Sequence, residues 1–339
     1  MTYSGTYTYS QLSAESALQL VASNYDFINP RRCKFYVLGL HDNYLVEGDN
    51  GLCILRIYRN SWRSPEEIYF ELELLAYLQE RKAPVAGPIP TIQGELAIRL
   101  ESPEGERLAS LFHYADGYAP EGGITAEQCE LLGSAVSSVH ALSEGFLSKH
   151  QRPDLDAHHL VDLSIEAIKP FLDIDGATYL DRLHKMLRDT WPNIPKAPGL
   201  FGICIGDVNA KNFHVSSSGN VTLFDFDQCG FGYRAFEIGK FLSSLYTHGQ
   251  KRALLNAFLQ GYEKNRPLSR IEYEAIPYFE MVAVLWVMSI QAKNADRIGY
   301  KYLEKPYWDR KLQILRELEA QLGTAPYVGD APRPFTGER

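Results

Sequence analysis

The sequence predicts an α+β fold of two unequal lobes, a small β-rich lobe with one main helix followed by a larger, mainly helical lobe. The chain of 339 residues is longer than one small core needs. Short β-rich runs dominate up to about residue 115, and helical periodicity dominates after it. We therefore expect an N-terminal lobe at 1–115 with a leading helix near 10–25, a C-terminal lobe at 116–322 and a loose, Pro- and Gly-rich tail at 323–339.

Charge and composition exclude several classes of protein. The net charge is −8 without a basic run, which argues against a nucleic-acid partner. The longest apolar stretch, Met281–Met288, is far shorter than the ~20 residues that a bilayer crossing needs, so we expect no membrane partner. The N-terminus shows no secretory signal pattern. The five cysteines are scattered without a CxxC pair, which argues against disulfides or a zinc knuckle and favours the cytoplasm.

The elements of the first lobe follow from periodicity and turn chemistry. Ser10–Tyr25 has the apolar spacing of an amphipathic helix. Strands are predicted at 35–38, 44–46, 53–58, 91–100 and 107–114. The turn Gly48–Gly51 predicts a hairpin. Ser64, Pro65 and Glu67 form a capping-box start for a helix that runs to about residue 80.

The second lobe is predicted to be helical with one β interruption. Thr125 and Gln128 offer a second capping box, before a helix that reaches about Leu142. Apolar periodicity predicts further helices at about 162–172, 178–191, 235–246, 250–264, 276–294 and 307–322. The interruption at 201–226 contains the most informative residues of the chain.

Within this interruption, Phe213–Val215 and Val221–Asp227 predict a hairpin around a Ser/Gly/Asn turn. Strand alternation would place Asp225 and Asp227 on one face. The hairpin would also bring Asn212, at the start of the first strand, beside Asp225. Mg²⁺ prefers hard oxygen ligands and takes few of them from protein. Asn212, Asp225 and Asp227 are therefore candidate metal ligands.

Asp207 lies five positions before Asn212 on the same loop and could accept the proton of an attacking hydroxyl. Each of these residues also has an ordinary structural interpretation, because a loop Asp often forms a turn and an Asn can cap a strand end. The apolar residues around Asp225 favour a functional role, because a carboxylate in a buried strand needs a partner.

Asp207-x4-Asn212 followed by Asp225 resembles the catalytic loop and metal-binding aspartate of the aminoglycoside phosphotransferase-like and choline kinase-like enzymes, which have the two-lobed protein-kinase-like fold. Cys229–Gly239 is similar to the glycine-broken turn and helix start that follow in that family. The resemblance implies ATP- and Mg²⁺-dependent transfer of the γ-phosphoryl group to a hydroxyl of an aminoglycoside, amino alcohol or sugar-like molecule. It implies that Asp207 is the catalytic base, that Asn212 and Asp225 hold Mg²⁺, and that Asp227 supports them.

The first lobe offers an independent test of this resemblance. Glu71 lies on the apolar stripe of the helix from Pro65, at i+3 from Ile68 and i−4 from Leu75. A Glu on a core face is costly unless it is paired, and Arg56 in a nearby strand is the available cation. Kinases of this class pair a strand-borne cation with a helix-borne Glu to hold phosphates. Arg56 and Glu71 are thus candidate nucleotide contacts, with a structural ion pair as the other interpretation.

The resemblance implies further contacts. Gly39–Tyr44 stands where the phosphate-covering loop lies, which makes Asn43 a candidate nucleotide contact. Leu111–Gly117 resembles the hinge that meets adenine, through His113 and Ala115. The late helices flank the acceptor pocket in the family, so the candidate acceptor contacts are Glu280, Trp286 and Gln291.

The sequence departs from the family pattern at Ile205 in place of His, Arg56 in place of Lys and Glu237 in place of Asp. Two alternatives stay open. A protein serine/threonine kinase of the same fold needs a long activation segment, but the next helix is predicted to begin near Ala235, soon after Asp225. A non-catalytic nucleotide-binding module is the second alternative, which Ile205 raises and the presence of Asp207, Asn212 and Asp225 argues against. The oligomeric state is left open.

Overall fold

The computed structural model describes residues 5–191, 195–245 and 250–322. Within these ranges the chain forms two compact units. The first contains the described residues up to Arg152 together with Lys211–Asp227, and the second contains Pro153–Ala210 and the described residues from Gln228 onward. The predicted α+β class is confirmed, whereas the predicted tail at 323–339 lies outside the described residues.

The first unit is built on an antiparallel sheet that follows helix α1 (Ala14–Asn24). Its strands are β1 (Pro30–Leu38), β2 (Asp42–Gly48), β3 (Gly51–Ile57), β4 (Pro88–Ile89), β5 (Ile98–Ser102) and β6 (Gly105–His113). Their order is β1-β2-β3-β6-β4, and β5 also pairs with β6. The predicted hairpin joins β2 to β3, and Gly51 takes φ +102°, which glycine adopts without strain. One face of this sheet packs with α1 into a core that includes Val21, Tyr44, Val46 and Leu55.

Helix α2 (Pro65–Glu80) begins where the capping box predicts. The Ser64 hydroxyl accepts a hydrogen bond from the Glu67 N–H at 3.3 Å, and the Glu67 carboxylate accepts one from the Ser64 N–H at 2.9 Å. Its buried positions include Leu72, Leu75 and Glu71, so α2 carries a carboxylate into the interior of the first unit.

The remaining elements alternate between the units. Helix α3 (Ala126–Leu142) belongs to the first unit and starts at its predicted capping box. The second unit then holds α4 (Leu163–Ile168), α5 (Ile174–Thr190) and β7 (Phe201–Cys204), with a π-helical turn at His158–Asp162. The chain returns to the first unit for β8 (Phe213–Val215) and β9 (Val221–Leu223). The rest of the second unit is β10 (Gly230–Tyr233), α6 (Ala235–Ser244), α7 (Lys251–Tyr262), α8 (Arg270–Lys293), α9 (Ala295–Ile298) and α10 (Lys305–Gln321).

The predicted hairpin of β8 and β9 is confirmed, with Phe213 opposite Leu223. It belongs to the first unit because its edges bond to that unit's backbone. The Ala86 N–H donates to the Leu223 carbonyl at 2.9 Å, and Tyr118 and Val215 exchange backbone hydrogen bonds of 3.2 and 3.1 Å. The first compact unit runs on to Arg152, past residue 115, the predicted end of the N-terminal lobe.

The prediction of one strand over Val221–Asp227 is wrong beyond Leu223. Asp225 has φ +64°, a left-handed backbone conformation that is rare for residues other than glycine. Side-chain alternation ends there, so Asp225 and Asp227 do not share a strand face. Backbone strain of this kind concentrates at functional sites.

Helix α8 is the long core element of the second unit and packs against α6. At Gly239 in α6, a Cβ would lie 2.5 Å from the carbonyl carbon of Phe279, so glycine is what permits this close approach. Among the described residues, α8 is also the one helix long and apolar enough to cross a membrane. However, 78% of its most apolar window is buried inside the protein, as in the core helix of a soluble protein.

Candidate functional site

A cavity of about 320 Å³ opens in the first unit, within the ~300–1,000 Å³ typical of small-molecule sites. Its walls come from the strands β1, β2, β3 and β6, from α2 and from the β8–β9 hairpin. It is lined by all five predicted nucleotide contacts and by two of the three predicted metal ligands. These are Asn43, Arg56, Glu71, His113, Ala115, Asn212 and Asp225. Residues that are far apart in sequence, and that different sequence features predict as nucleotide or metal contacts, thus line one pocket.

Arg56 is the polar centre of this pocket. Its guanidinium donates to Glu71 Oε1 at 3.3 Å, to Asn43 Oδ1 at 3.3 Å and to Asp225 Oδ1 at 3.0 Å. The predicted pairing of Arg56 with Glu71 is thereby observed. The planar fork of an Arg can serve several acceptors at once, which the ammonium of the usual Lys does with less fixed geometry. Arg56 therefore connects the sheet, α2 and the end of the hairpin.

Burial of Glu71 and Arg56 makes the ionisation of each depend on the charge of its partner. Glu71 is 1% exposed, and burial raises its pKa while Arg56 opposes that rise. Burial also disfavours the charge on Arg56, but Asp225 and Glu71 outweigh that effect and raise the pKa of Arg56 above its usual value. Two carboxylates, one buried and one partly exposed, thus face the guanidinium of Arg56, an arrangement that suits a site for a metal–nucleotide complex.

Asn212 and Asp225 lie side by side because the hairpin register continues past the strands. The Phe224 N–H donates to the Asn212 carbonyl at 3.0 Å, which places Asp225 next to Asn212. The Asp225 side chain is 39% exposed and lines the pocket. An amide oxygen beside a carboxylate is a donor set of the kind that Mg²⁺ accepts, with water and phosphate completing its shell. These two residues therefore fit a magnesium ion.

Asp227, the third predicted metal ligand, does not line the pocket. Its Oδ1 is 2.9 Å from His41 Nε2 and 3.2 Å from Arg63 Nε. Its Oδ2 accepts from Trp62 Nε1 at 2.9 Å and from Arg63 at 3.2 Å. Burial opposes ionisation, but Arg63 and His41 outweigh it and hold the pKa of Asp227 well below its usual range. With both oxygens committed to donors, this carboxylate ties together the loops before β2 and α2.

His41 is neutral in this arrangement, because its Nδ1 accepts the Arg59 N–H at 3.1 Å. Its proton therefore lies on Nε2 and is donated to Asp227. Burial lowers the pKa of His41, in agreement with a neutral ring, although Asp227 opposes this effect.

The pocket contains residues that sequence reasoning missed. His214 donates from Nδ1 to the Ala115 carbonyl at 2.6 Å, so the predicted hinge is fastened to β8. Lys211 and Phe224 also line the pocket. Lys211 precedes Asn212, and Phe224 precedes Asp225, so adjacency to a candidate ligand was the available signal for both. His214 was harder to predict, because its partner Ala115 lies 99 residues away in the sequence.

Asp207 lies in the second unit, on the loop that follows β7. The backbone N–H groups of Ile205 and Gly206 donate to the Glu237 carboxylate at 2.8 and 2.9 Å. Burial raises the pKa of Glu237 to about 7, against the opposing effect of these two hydrogen bonds. Glu237, noted from sequence only as a departure from the family pattern, thus fixes the backbone just before Asp207.

We expect the contribution of Glu237 to stability to fall as pH rises. Its pKa is raised from 4.5 to about 7, so the folded protein binds more protons than the unfolded chain between these values, and the free energy of unfolding decreases with pH there. Glu237→Gln removes this titration. The melting temperature of the wild type minus that of the variant should decline from about pH 4.5 to pH 7 and then level off. A difference that rises across this window would contradict the assignment.

The three candidate acceptor contacts all lie on α8 in the second unit. Trp286 donates from Nε1 to Gln228 Oε1 at 2.7 Å, and Gln228 packs against Gly206 of the Asp207 loop. Glu280 is 1% exposed and forms an ion pair with Lys251, an arrangement that favours a structural role. Gln291 is half-buried near the end of the helix. Of the three, Trp286 has the most direct connection to the Asp207 loop.

Comparison with known proteins places these features in a family. Residues 36–274 match the phosphotransferase enzyme family, abbreviated APH. A homoserine kinase of Caulobacter vibrioides is 27% identical over 322 residues, which covers 89% of this chain and 96% of that enzyme.

Two solved structures share the fold. One is the amicoumacin kinase hAmiN in complex with AMP-PNP, Ca²⁺ and Ami, with a TM-score of 0.76 and 19% identity over 91% of this chain and 94% of that one. The other is a microcompartment-associated aminopropanol kinase, with a TM-score of 0.75 and 20% identity over 91% and 98% of the two chains. The two-lobed kinase-like fold implied by the catalytic-loop resemblance is thereby confirmed. The family match covers most of the chain, including both halves of the Asp207–Asn212–Asp225 motif, and the chain therefore belongs to the phosphotransferase enzyme family and is an enzyme of the kinase type.

Proposed function

We propose that this enzyme transfers the γ-phosphoryl group of ATP, with Mg²⁺ as cofactor, to the hydroxyl of a small molecule. One observation carries the proposal: the pocket of the first unit gathers the predicted phosphate-binding pair, the predicted metal ligands and the predicted hinge. Support for the nucleotide and for a divalent metal comes from the amicoumacin kinase, which was solved with AMP-PNP and Ca²⁺.

The predicted site residues would divide the work of this reaction between phosphate binding, metal binding and proton transfer. Arg56, oriented by Glu71, would hold the phosphates, and Asn212 and Asp225 would hold Mg²⁺. The metal would neutralise charge on the phosphate oxygens. Asp207 would take the proton of the acceptor hydroxyl. The hydroxyl oxygen would then bond to the γ-phosphorus while the bond between that phosphorus and the ADP oxygen breaks. Positioning and electrostatics supply most of the acceleration in phosphoryl transfer.

The acceptor that we propose is an amino alcohol. The similar enzymes include a homoserine kinase and an aminopropanol kinase, and both named substrates carry an amine and a hydroxyl. The short connection from Asp225 to α6, which starts at Ala235, favours a small molecule over a protein substrate, because it leaves little room for a long activation segment. Aminoglycosides and sugar-like compounds are the other hydroxyl acceptors that this fold would suit. We place this reaction in the cytoplasm, where ATP is available.

Asp225→Asn should weaken the binding of ATP in the presence of Mg²⁺ and reduce its dependence on Mg²⁺. The substitution removes the carboxylate that is best placed for the metal and also weakens a partner of Arg56. Calorimetric titration of Mg·ATP, repeated with EDTA, measures both effects. Glu106→Gln is the control, since Glu106 forms an exposed ion pair with Arg99. Equal affinity and equal metal dependence in the Asp225 variant and the wild type would refute the metal assignment.

The acceptor is tested by measuring ADP release from Mg·ATP over a panel of hydroxyl compounds. The panel contains 1-amino-2-propanol, ethanolamine, L-homoserine, an aminoglycoside, a sugar and a serine-containing peptide. We expect an amino alcohol to raise ADP release above the rate without acceptor. A response to the peptide alone would favour the protein-kinase alternative. A protein that binds Mg·ATP but responds to no compound would favour a nucleotide-binding module.

A further inference from the structure

Two charged side chains of helix α6 contact the loop that carries Asp207. The first of them is Glu237. Glu237 holds the backbone of residues 205 and 206 through two hydrogen bonds. These two bonds fix the main chain, but they do not by themselves select the rotamer of the Asp207 side chain. Ile205 is buried and apolar, so its side chain offers Asp207 no hydrogen bond.

The second charged side chain is Lys240, one helical turn after Glu237. Its Nζ lies 2.5 Å from Asp207 Oδ1. Residues three apart share a helix face, so Glu237 and Lys240 reach the same loop from one side of α6. One residue fixes the backbone of the loop, and the other contacts the carboxylate that the proposed reaction uses.

Burial makes this contact informative. Lys240 is 3% exposed, whereas the Asp207 side chain is 19% exposed. A buried ammonium is costly and seldom adds net stability compared with an apolar side chain of similar size. The other buried residues of α6 are mostly apolar, such as Phe236, Ile238 and Phe241, so an apolar residue would suit position 240 if packing were its purpose. The placement of the cation thus points to Asp207.

We propose that Lys240 is a positioning residue that orients the Asp207 carboxylate towards the acceptor hydroxyl. This inference rests on the proposed function, in which Asp207 takes the proton of that hydroxyl. Lys240 acts only through Asp207 and touches neither nucleotide nor acceptor in this role. Its ammonium contacts Oδ1 and thereby fixes the direction in which the carboxylate faces, as a general base requires.

Kinetics with Lys240→Met tests the inference on the full chain, with Mg·ATP and 1-amino-2-propanol or L-homoserine as probes. Misplacing a catalytic group can cost about 10²-fold in rate, so we expect kcat to fall by about that factor. The KM for ATP should stay unchanged, because the residues assigned to ATP lie in the first unit. Lys240→Arg should recover part of the loss. Lys240→Met turnover equal to that of the wild type would overturn the inference while leaving the proposed function intact.

A double-mutant cycle with Asp207→Ala separates positioning from general destabilisation. If Lys240 acts through Asp207, Lys240→Met should lower kcat no further once Asp207 is absent. An additional loss of the same size in that background would overturn the inference. Arg266→Met is the matched control, since it removes the cation of another largely buried ion pair in the second unit, with Glu272. That control should lower the melting temperature without lowering kcat.

The same double-mutant cycle can be measured through melting temperatures, which requires no acceptor substrate. The shifts in melting temperature for Lys240→Met and Asp207→Ala should be non-additive, because each removes the partner of the other. Additive shifts would show that the two side chains do not interact in solution, and the inference would fall. If the wild type transferred no phosphoryl group to any compound but the shifts were non-additive, the proposed function and the positioning role would both fail, and the ion pair would be structural.

Discussion

Asp207→Asn is expected to lower turnover by about 10²- to 10⁴-fold, the range typical of a lost general base, while the affinity for Mg·ATP stays close to that of the wild type. The two effects separate because Asp207 lies in the second unit, whereas the pocket that would bind the nucleotide is lined entirely by residues of the first. Some activity should survive, because positioning and charge neutralisation supply most of the acceleration in phosphoryl transfer.

The measurement takes kcat, Mg·ATP affinity and melting temperature from one preparation. A structural role for Asp207 would lower all three together, since its ion pair with Lys240 would be lost as well. Asp154→Asn provides the control, because Asp154 forms a more exposed ion pair with Lys196 in the same unit. An Asp207→Asn protein that turns over like the wild type would refute the mechanism.

Asp227→Ala is expected to lower the free energy of unfolding by about 3–5 kcal/mol, the usual cost of removing one partner from a buried ion pair. The substitution leaves the buried Arg63 without this carboxylate, and it removes the acceptor of His41 and Trp62. Urea denaturation measures the loss. Asp154→Ala should cost about 1 kcal/mol or less, because surface pairs contribute little. An Asp227 variant as stable as that control would show that the network is not what holds these loops.

Acid should reveal the same network. The pKa of Asp227 is depressed in the folded protein, so its stabilisation is fully present above the unfolded pKa and is lost as pH falls through the folded pKa. The wild type should therefore lose more stability than Asp227→Ala as the pH is lowered below about 4. A parallel loss in both proteins would assign the acid sensitivity to other groups.

The sequence was sufficient for features that are set by local chemistry. The capping box at Ser64 located α2 to the residue, and Glu71 on its apolar stripe implied a buried partner, which is Arg56. The β8–β9 hairpin followed from its turn residues, and it brought Asn212 beside Asp225 as expected.

The prediction failed where the backbone left regular geometry. Alternation along β9 assumed a strand through Asp227, but the left-handed conformation of Asp225 ends it, and Asp227 turns into the His41, Trp62 and Arg63 cluster instead. Helix α8 begins at Arg270, six residues before the predicted start near residue 276. The Ser269–Glu272 capping box marks this start in the sequence, but Pro277 inside the helix favoured a later one. The contact of Lys240 with Asp207 had no local signal, because it joins α6 to a loop more than 30 residues away in sequence.

The most direct test of the central claim is ³¹P NMR of the purified protein with Mg·ATP and the pooled hydroxyl compounds. We expect a new phosphate monoester signal that grows as the γ-phosphate signal of ATP declines. That signal should require Mg²⁺ and should be strongly reduced in Asp207→Asn. Growth of inorganic phosphate alone, or an unchanged ATP spectrum from a folded protein that binds Mg·ATP, would contradict the claim that this enzyme transfers phosphate to a small-molecule hydroxyl.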